Sequence, residues 1–133
     1  MILLDASVLL AAEDPSDRNH LASSELVESG IPVTTLDLAA LETANVAVSR
    51  WRDADSAARL RKRVFAIERF GELVRVDEEL VERSQEIAIA HGISVYDAGY
   101  VAAAERVGAV LVSCDEADLV GVGLARLPAA VLG

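Results

Sequence analysis

The stretch Ala109-Val110-Leu111-Val112-Ser113-Cys114-Asp115 decides what kind of fold this chain adopts. Four apolar residues, two of them β-branched, read as a short buried strand, and the run stops abruptly at small polar residues and a carboxylate. The opening Met1-Ile2-Leu3-Leu4-Asp5-Ala6-Ser7 repeats the plan: an apolar run, an aspartate at its end and a serine close by. Continuous apolar strands belong to a sheet covered on both faces, and such sheets place ligands beyond the carboxyl ends of their strands. Asp5 and Asp115 therefore stand where an α/β domain carries its chemistry.

Outward from these two strands the pattern alternates. A short helix follows Asp5, and Asp14-Pro15 is a start signal and Ser29-Gly30 a stop signal for a second helix. Ile31 to Thr34 reads as a further strand. From Leu36 to about Arg52 the apolar spacing of Leu38, Leu41, Ala44, Val46 and Val48 predicts a helix, and Asp53-Ala54-Asp55 separates it from another that runs to about Phe70. Leu73 to Val76 is a third strand candidate. Asp77 is placed to cap a helix that ends at Gly92, and Ser94-Val95-Tyr96-Asp97 reads as an N-cap with an acid at the third helical position of a helix ending at Gly108. Leu124 to Gly133 has room only for a brief edge strand. Strands alternating with helices predict one α/β domain over residues 1–133, with a mainly parallel central sheet flanked by helices.

Composition narrows the function. At 133 residues the chain is long enough for one core, and its 53% hydrophobic content comes mostly from Ala, Val and Leu, which suits helix-on-sheet packing. The single cysteine, Cys114, excludes an internal disulfide and a cysteine-based zinc site. Met1-Ile2-Leu3-Leu4 meets Asp5 without a basic leader, which argues against a signal peptide or a membrane span and for a cytoplasmic protein. The net charge of −10 argues against binding nucleic acid by general attraction. Charge is nevertheless uneven: eight of the twelve basic residues lie between Arg50 and Arg75.

Two further acids share the setting of Asp5 and Asp115. Glu42 lies in Ala40-Leu41-Glu42-Thr43-Ala44-Asn45, with no basic residue from Leu38 to Val48 to pair with it, and Asp97 opens an apolar helix. Asp5, Asp115 and Asp97 each have a plain alternative as helix caps or first-turn acids. Four carboxylates about 5 Å apart, however, repel by roughly 3 kcal/mol per ionised pair at an effective dielectric near 20, and a shared divalent cation offsets that repulsion. An all-oxygen set without His or Cys points to Mg²⁺ or Mn²⁺. Asp118 is auxiliary in this reading, and Ser7 and Ser113 are candidate donors that orient the carboxylates. The chemistry of such a site is metal-assisted phosphodiester hydrolysis.

These motifs, in this order and over the whole chain, resemble the PIN-domain ribonucleases, in particular the VapC-type toxins of VapBC toxin–antitoxin pairs. The resemblance rests on Leu4-Asp5-Ala6-Ser7, Glu42-Thr43-Ala44-Asn45-Val46, Tyr96-Asp97-Ala98 and Val112-Ser113-Cys114-Asp115-Glu116-Ala117-Asp118-Leu119. It implies a three-layer PIN-like domain and a Mg²⁺- or Mn²⁺-dependent endoribonuclease with Asp5, Glu42, Asp97 and Asp115 at the metal and in catalysis. It further implies RNA substrates that include transfer RNA, a cognate VapB-type antitoxin and a homodimer. Ser113 departs from the threonine more usual in the family but keeps the hydroxyl. The alternatives are a non-cleaving PIN-like module that binds RNA or protein, and a PIN nuclease outside toxin–antitoxin systems. A phosphoryl-acceptor receiver and a haloacid-dehalogenase-like phosphatase both want acids that this chain lacks: Asp5 stands alone at its strand end, and Ser7 occupies the place of a second aspartate.

An RNA substrate needs cations near an acidic site, so Arg52, Arg59 and Arg63 are candidate RNA contacts, provided that the helices carrying them are continuous. Trp51, Tyr96 and Tyr100 read as core or interface aromatics, and His20 and His91 as structural.

Overall fold

A computed structural model of the chain describes residues 1–133, the side chain of Phe70 excepted. Its core is a parallel three-stranded sheet in the order β2-β1-β3, formed by β1 (Ile2–Leu4), β2 (Val33–Thr35) and β3 (Val110–Val112). β1 occupies the centre, with Leu3 opposite Thr34 on one side and Leu111 on the other. All three residues of β1 are buried, which explains why the run is apolar throughout instead of alternating. Because the three strands are parallel and in register, Asp5, Leu36 and Ser113 leave the sheet at the same edge.

Helices cover both faces: α1 (Ala6–Glu13), α2 (His20–Glu28), α3 (Leu38–Asn45), α4 (Ala54–Phe70), α5 (Glu78–His91), α6 (Val95–Val107) and the short α7 (Pro128–Leu132). The helical start and stop signals act as read in four places. Asp77 accepts the Leu80 amide at 2.8 Å, Ser94 accepts the Asp97 amide at 3.0 Å, and Gly92 and Gly108 end α5 and α6 in the left-handed region at φ +66°. α5 and α6, whose axes turn by 116° at the break between them, pack on each other and, through α6, on β1 and β3, while α1 and α4 pack on β1 and β2 with α2 and α3 beside them. Leu3, Leu4, Leu9, Leu26, Leu36, Leu60, Val64, Val112 and Leu119 are fully buried between the layers. No single helix among the described residues is long and apolar enough to cross a membrane.

Four local expectations are corrected. The second helix starts at His20, because Asp14 turns its carboxylate onto the Ser16 amide and hydroxyl and Asp17 takes the Asn19 amide, so the chain makes successive turns before it coils. The predicted helix from Leu36 to Arg52 is α helical only to Asn45 and then widens into a π-helical turn, Val46–Arg50. Leu73 to Val76 is not a strand. It touches the sheet at one bridge, Val74 beside Leu36, and the Val76 amide is then taken by the Asp37 carboxylate before Asp77 starts α5. At the C-terminus the edge strand shrinks to one bridge between Val112 and Arg126, since Pro128 then opens α7, which packs on α2.

Candidate active site

The site is built at the carboxyl edge of the sheet by strand ends and the helices that follow them. Asp5 leaves β1 and caps α1 through one oxygen: Oδ1 accepts the Ser7 hydroxyl at 2.5 Å and the Val8 amide at 3.3 Å. The residue is only 5% exposed. Burial pushes its carboxyl up to about 6, against the lowering effect of the Ser113 and Ser7 hydroxyls and the Val8 amide, and the charge of Asp97 adds to the rise.

Across the β1–β3 ladder, Asp115 caps the π-helical turn Glu116–Val120 in the same way, its Oδ1 accepting the Asp118 amide at 2.9 Å. The two strand ends are tied by serines. Ser7 accepts the Cys114 amide at 2.9 Å and lies 3.4 Å from the Ser113 hydroxyl, which in turn accepts the Asp115 amide at 3.0 Å. Ser7 therefore holds the Asp5 carboxylate as a donor, and Ser113 holds the backbone at Asp115 as an acceptor. Cap and site are not exclusive roles here. Each capping aspartate accepts a backbone amide through Oδ1, and Asp115 also contributes a carboxylate oxygen to the acidic cluster.

Asp97 reaches the same region from the first turn of α6. Ser94 does the capping, so the Asp97 carboxylate has no hydrogen-bonding duty to its own helix. Its pKa is raised, by burial first and then by the charges of Asp115, Asp118 and Glu42, against the lowering effect of Ser94. Carboxylate oxygens of Asp97, Asp115 and Asp118 lie within 4.8 Å of one another. Asp118, which the sequence reading made auxiliary, is thus a full member of the cluster, because the tight π turn after Asp115 folds it back over three residues.

Glu42 enters from α3 and is fixed by Tyr100, whose phenolic hydroxyl donates to Oε1 at 2.6 Å. Tyr100 is 2% exposed, and burial followed by the Glu42 charge raises its pKa, so the phenol stays a donor. This is the functional residue that sequence reasoning missed. The signal was its position one turn after Asp97 on the same helix; its apolar surroundings made it read as plain core.

The donor set fits a hard divalent cation. Asp97, Asp115 and Asp118 supply oxygens within 4.8 Å of one another, a group that among the described residues contains no His or Cys; Asp5 and Glu42 lie outside it, Asp5 as a buried carboxylate partly protonated near pH 6. Cys114 is not such a donor: burial pushes its thiol up to about 11, which keeps it protonated.

The candidate RNA contacts do not form a face. α4 is not continuous with α3, and Arg52 sits at the break with φ +53°, whereas Arg59 and Arg63, one turn apart on α4, both pair with Glu13 at 3.0 and 3.7 Å, Arg59 remaining exposed. The expectation of a shared arginine surface is corrected: two of the three neutralise an acid at the end of α1.

Comparison with known proteins agrees with this geometry. A family model described as the PIN domain matches residues 2–120. Ribonuclease VapC3 of Pyrobaculum aerophilum is 32% identical over 123 residues, covering 86% of this chain and 88% of that protein. Among solved structures, Mycobacterium tuberculosis VapC20, described as a sarcin-ricin loop cleaving toxin, superimposes with a TM-score of 0.78 at 20% identity, covering 92% of this chain and 95% of its own. A toxin–antitoxin complex from Klebsiella pneumoniae superimposes with a TM-score of 0.74 at 17% identity, covering 96% and 98%. The last two likenesses are of fold.

Proposed function

The chain belongs to the PIN-domain family, and from that membership we propose that it is a divalent-cation-dependent endoribonuclease, the toxin of a toxin–antitoxin pair. The observation that carries the proposal is the meeting of Asp97, Asp115 and Asp118 within 4.8 Å, with Asp5 buried and Glu42 held by Tyr100 close enough for their charges to act on Asp97. Like charges gathered this closely cost stability unless they serve a cation.

Asp97, Asp115 and Asp118 would hold the cation, Mg²⁺ or Mn²⁺, and Asp5 and Glu42 would complete the acidic site around it. When bound, such a cation neutralises charge on a phosphodiester and acidifies a coordinated water. The remaining chemistry is the protein's own. Glu42 accepts from Tyr100 through Oε1, which leaves Oε2 to accept a proton from the attacking water and aim it at phosphorus. Ser7 keeps the Asp5 carboxylate from rotating, and Ser113 fixes the backbone at Asp115, as charge builds on the departing oxygen. The substrate is RNA, with transfer RNA among the candidates, and the partner is a VapB-type antitoxin in the cytoplasm.

A homodimer is supported by an apolar groove between α5 and α6, lined by Leu38, Val76, Val81, Val95 and Tyr96, of which Val95 is 47% and Tyr96 64% exposed. The test of the function is cleavage of total cellular RNA by the purified chain with Mg²⁺ or Mn²⁺, beside chelator and the Asp97→Asn variant. Discrete fragments absent from both controls support it; intact RNA in every lane, with metal binding established by calorimetry, refutes it.

A further inference from the structure

Helix α4 sorts its cations onto two faces. Leu60 and Val64 point into the core, with Ile67 packed beside them, and Arg59 and Arg63 reach Glu13. The opposite face carries Arg61, Lys62, Phe65, Ala66 and Arg69, which line a shallow trough of about 440 Å³. Arg61, Lys62 and Arg69 are exposed, and among the described residues none of the three makes an ion pair or a side-chain hydrogen bond. Glu68, the acid on the same turn, is held by Arg75, so it does not neutralise the trough. On a chain of net charge −10 this is a concentrated cationic strip.

The strip has an order. Arg61, Phe65 and Arg69 follow at i, i+4 and i+8, which stacks them along one side of the helix with the outer two about 12 Å apart. Between them the Phe65 ring is 43% exposed instead of buried. A flat apolar ring between two forked cations matches the alternation of base and phosphate along a nucleic-acid strand: bases stack on aromatics, and phosphates take Arg and Lys. An acidic peptide would use the cations but has no comparable need for the ring. The acidic cluster itself repels RNA, so the substrate needs attraction from elsewhere on the surface.

We infer that the outer face of α4 holds the RNA substrate, with Arg61, Lys62 and Arg69 on phosphates of a single-stranded segment beyond the reacting nucleotides and Phe65 stacked on one of its bases. The inference rests on the nuclease reading above and moves the RNA contacts from Arg59 and Arg63 to their neighbours on the opposite side of the helix.

The test uses the full chain with Asp97→Asn to prevent cleavage, titrated against a labelled single-stranded RNA of mixed sequence over a series of salt concentrations. R61A/K62A/R69A is expected to raise Kd about tenfold or more and to flatten the salt dependence of log Kd by about 2, at roughly 0.7 per lost phosphate contact. Phe65→Ala is expected to raise Kd several-fold with the salt slope unchanged, and Phe65→Trp to retain binding, so the strip is also probed without altering its charge. With Asp97 restored, the triple variant should raise KM and leave kcat. Unchanged Kd and slope in the triple variant, with the parent binding RNA, overturn the inference; loss of antitoxin capture in that variant would then assign the strip to protein. A parent that neither binds nor cleaves RNA overturns the nuclease reading and the strip with it, whereas a parent that cleaves beside an equally effective triple variant overturns the strip alone.

Discussion

Replacing Asp5 by asparagine should stabilise the cation-free protein while abolishing its activity. Burial lifts the Asp5 carboxyl from its ordinary 3.8 to about 6. At 1.36 kcal/mol for each tenfold change, the ionised side chain costs the folded state about 3 kcal/mol at neutral pH. The sign follows from proton binding. Between pH 4 and 6 the folded chain holds a proton that the unfolded chain has released, so stability from this group falls as pH rises through that window and levels off above it. Asparagine keeps an acceptor for Val8 and Ser7 but carries no charge, so it escapes the penalty, less about 1 kcal/mol for a weaker set of hydrogen bonds. The expected gain of about 2 kcal/mol corresponds to roughly 6–8 °C in Tm for a chain of this size. Thermal melts in chelator at pH 7 should show it, and the gap should close between pH 5 and 4, where the folded Asp5 is already protonated and the unfolded one is regaining its proton. Added Mg²⁺ should close it from the other side, since a ligand at a hundred times its Kd stabilises the parent by about 2.7 kcal/mol. An Asp5→Asn protein that melts at or below the parent in chelator at pH 7 would refute the argument that this carboxylate is held in place at a cost to folding.

Tyr100→Phe should lower kcat about tenfold with Tm shifted by no more than a few degrees, because it removes the hydroxyl that aims Glu42 and leaves the buried ring; an unchanged kcat would remove Glu42 orientation from the mechanism. Asp118→Asn should weaken Mn²⁺ binding in calorimetry by as much as Asp97→Asn does, given that both belong to the same trio of oxygens; a variant with parental affinity would return Asp118 to an auxiliary place beside the site. Gly108→Ala, at φ +66° with open space around the added carbon, should cost about 1 kcal/mol in denaturant melts through backbone strain alone, with cleavage per folded molecule unaltered.

Residues that terminate elements behaved as their chemistry requires. Asp77, Ser94, Gly92 and Gly108 end or begin helices through short-range bonds and local dihedral preferences, which depend on neighbours a few positions away. The misreadings fall where a distant partner competes. Leu73 to Val76 has strand composition, yet the chain runs beside β2 for only one residue before the Asp37 carboxylate and the Asp77 cap redirect it. Asp14-Pro15 is a sound helix start, but turns built on Asp14 and Asp17 satisfied their own backbone first. The arginines show the same limit in reverse: periodicity placed Arg59, Arg61 and Arg63 on one helix, and only the position of Glu13 at the end of α1 decided which of them are paired.

The sequence by itself determined the sheet and its chemistry. Apolar runs ending in Asp5 and Asp115, with Asp97 one turn past a serine cap, place carboxylates at strand and helix ends through periodicity and capping, which are local properties. Tertiary structure alone decided how those carboxylates are used. It made Asp118 an equal of Asp97 and Asp115, buried Asp5 deeply enough to move its protonation toward neutrality, and set a phenol from α6 against Glu42 on α3. The physical reason is range. Capping and periodicity act over a few residues along the chain, whereas repulsion, desolvation and a hydrogen bond across 58 positions exist only once the layers have packed.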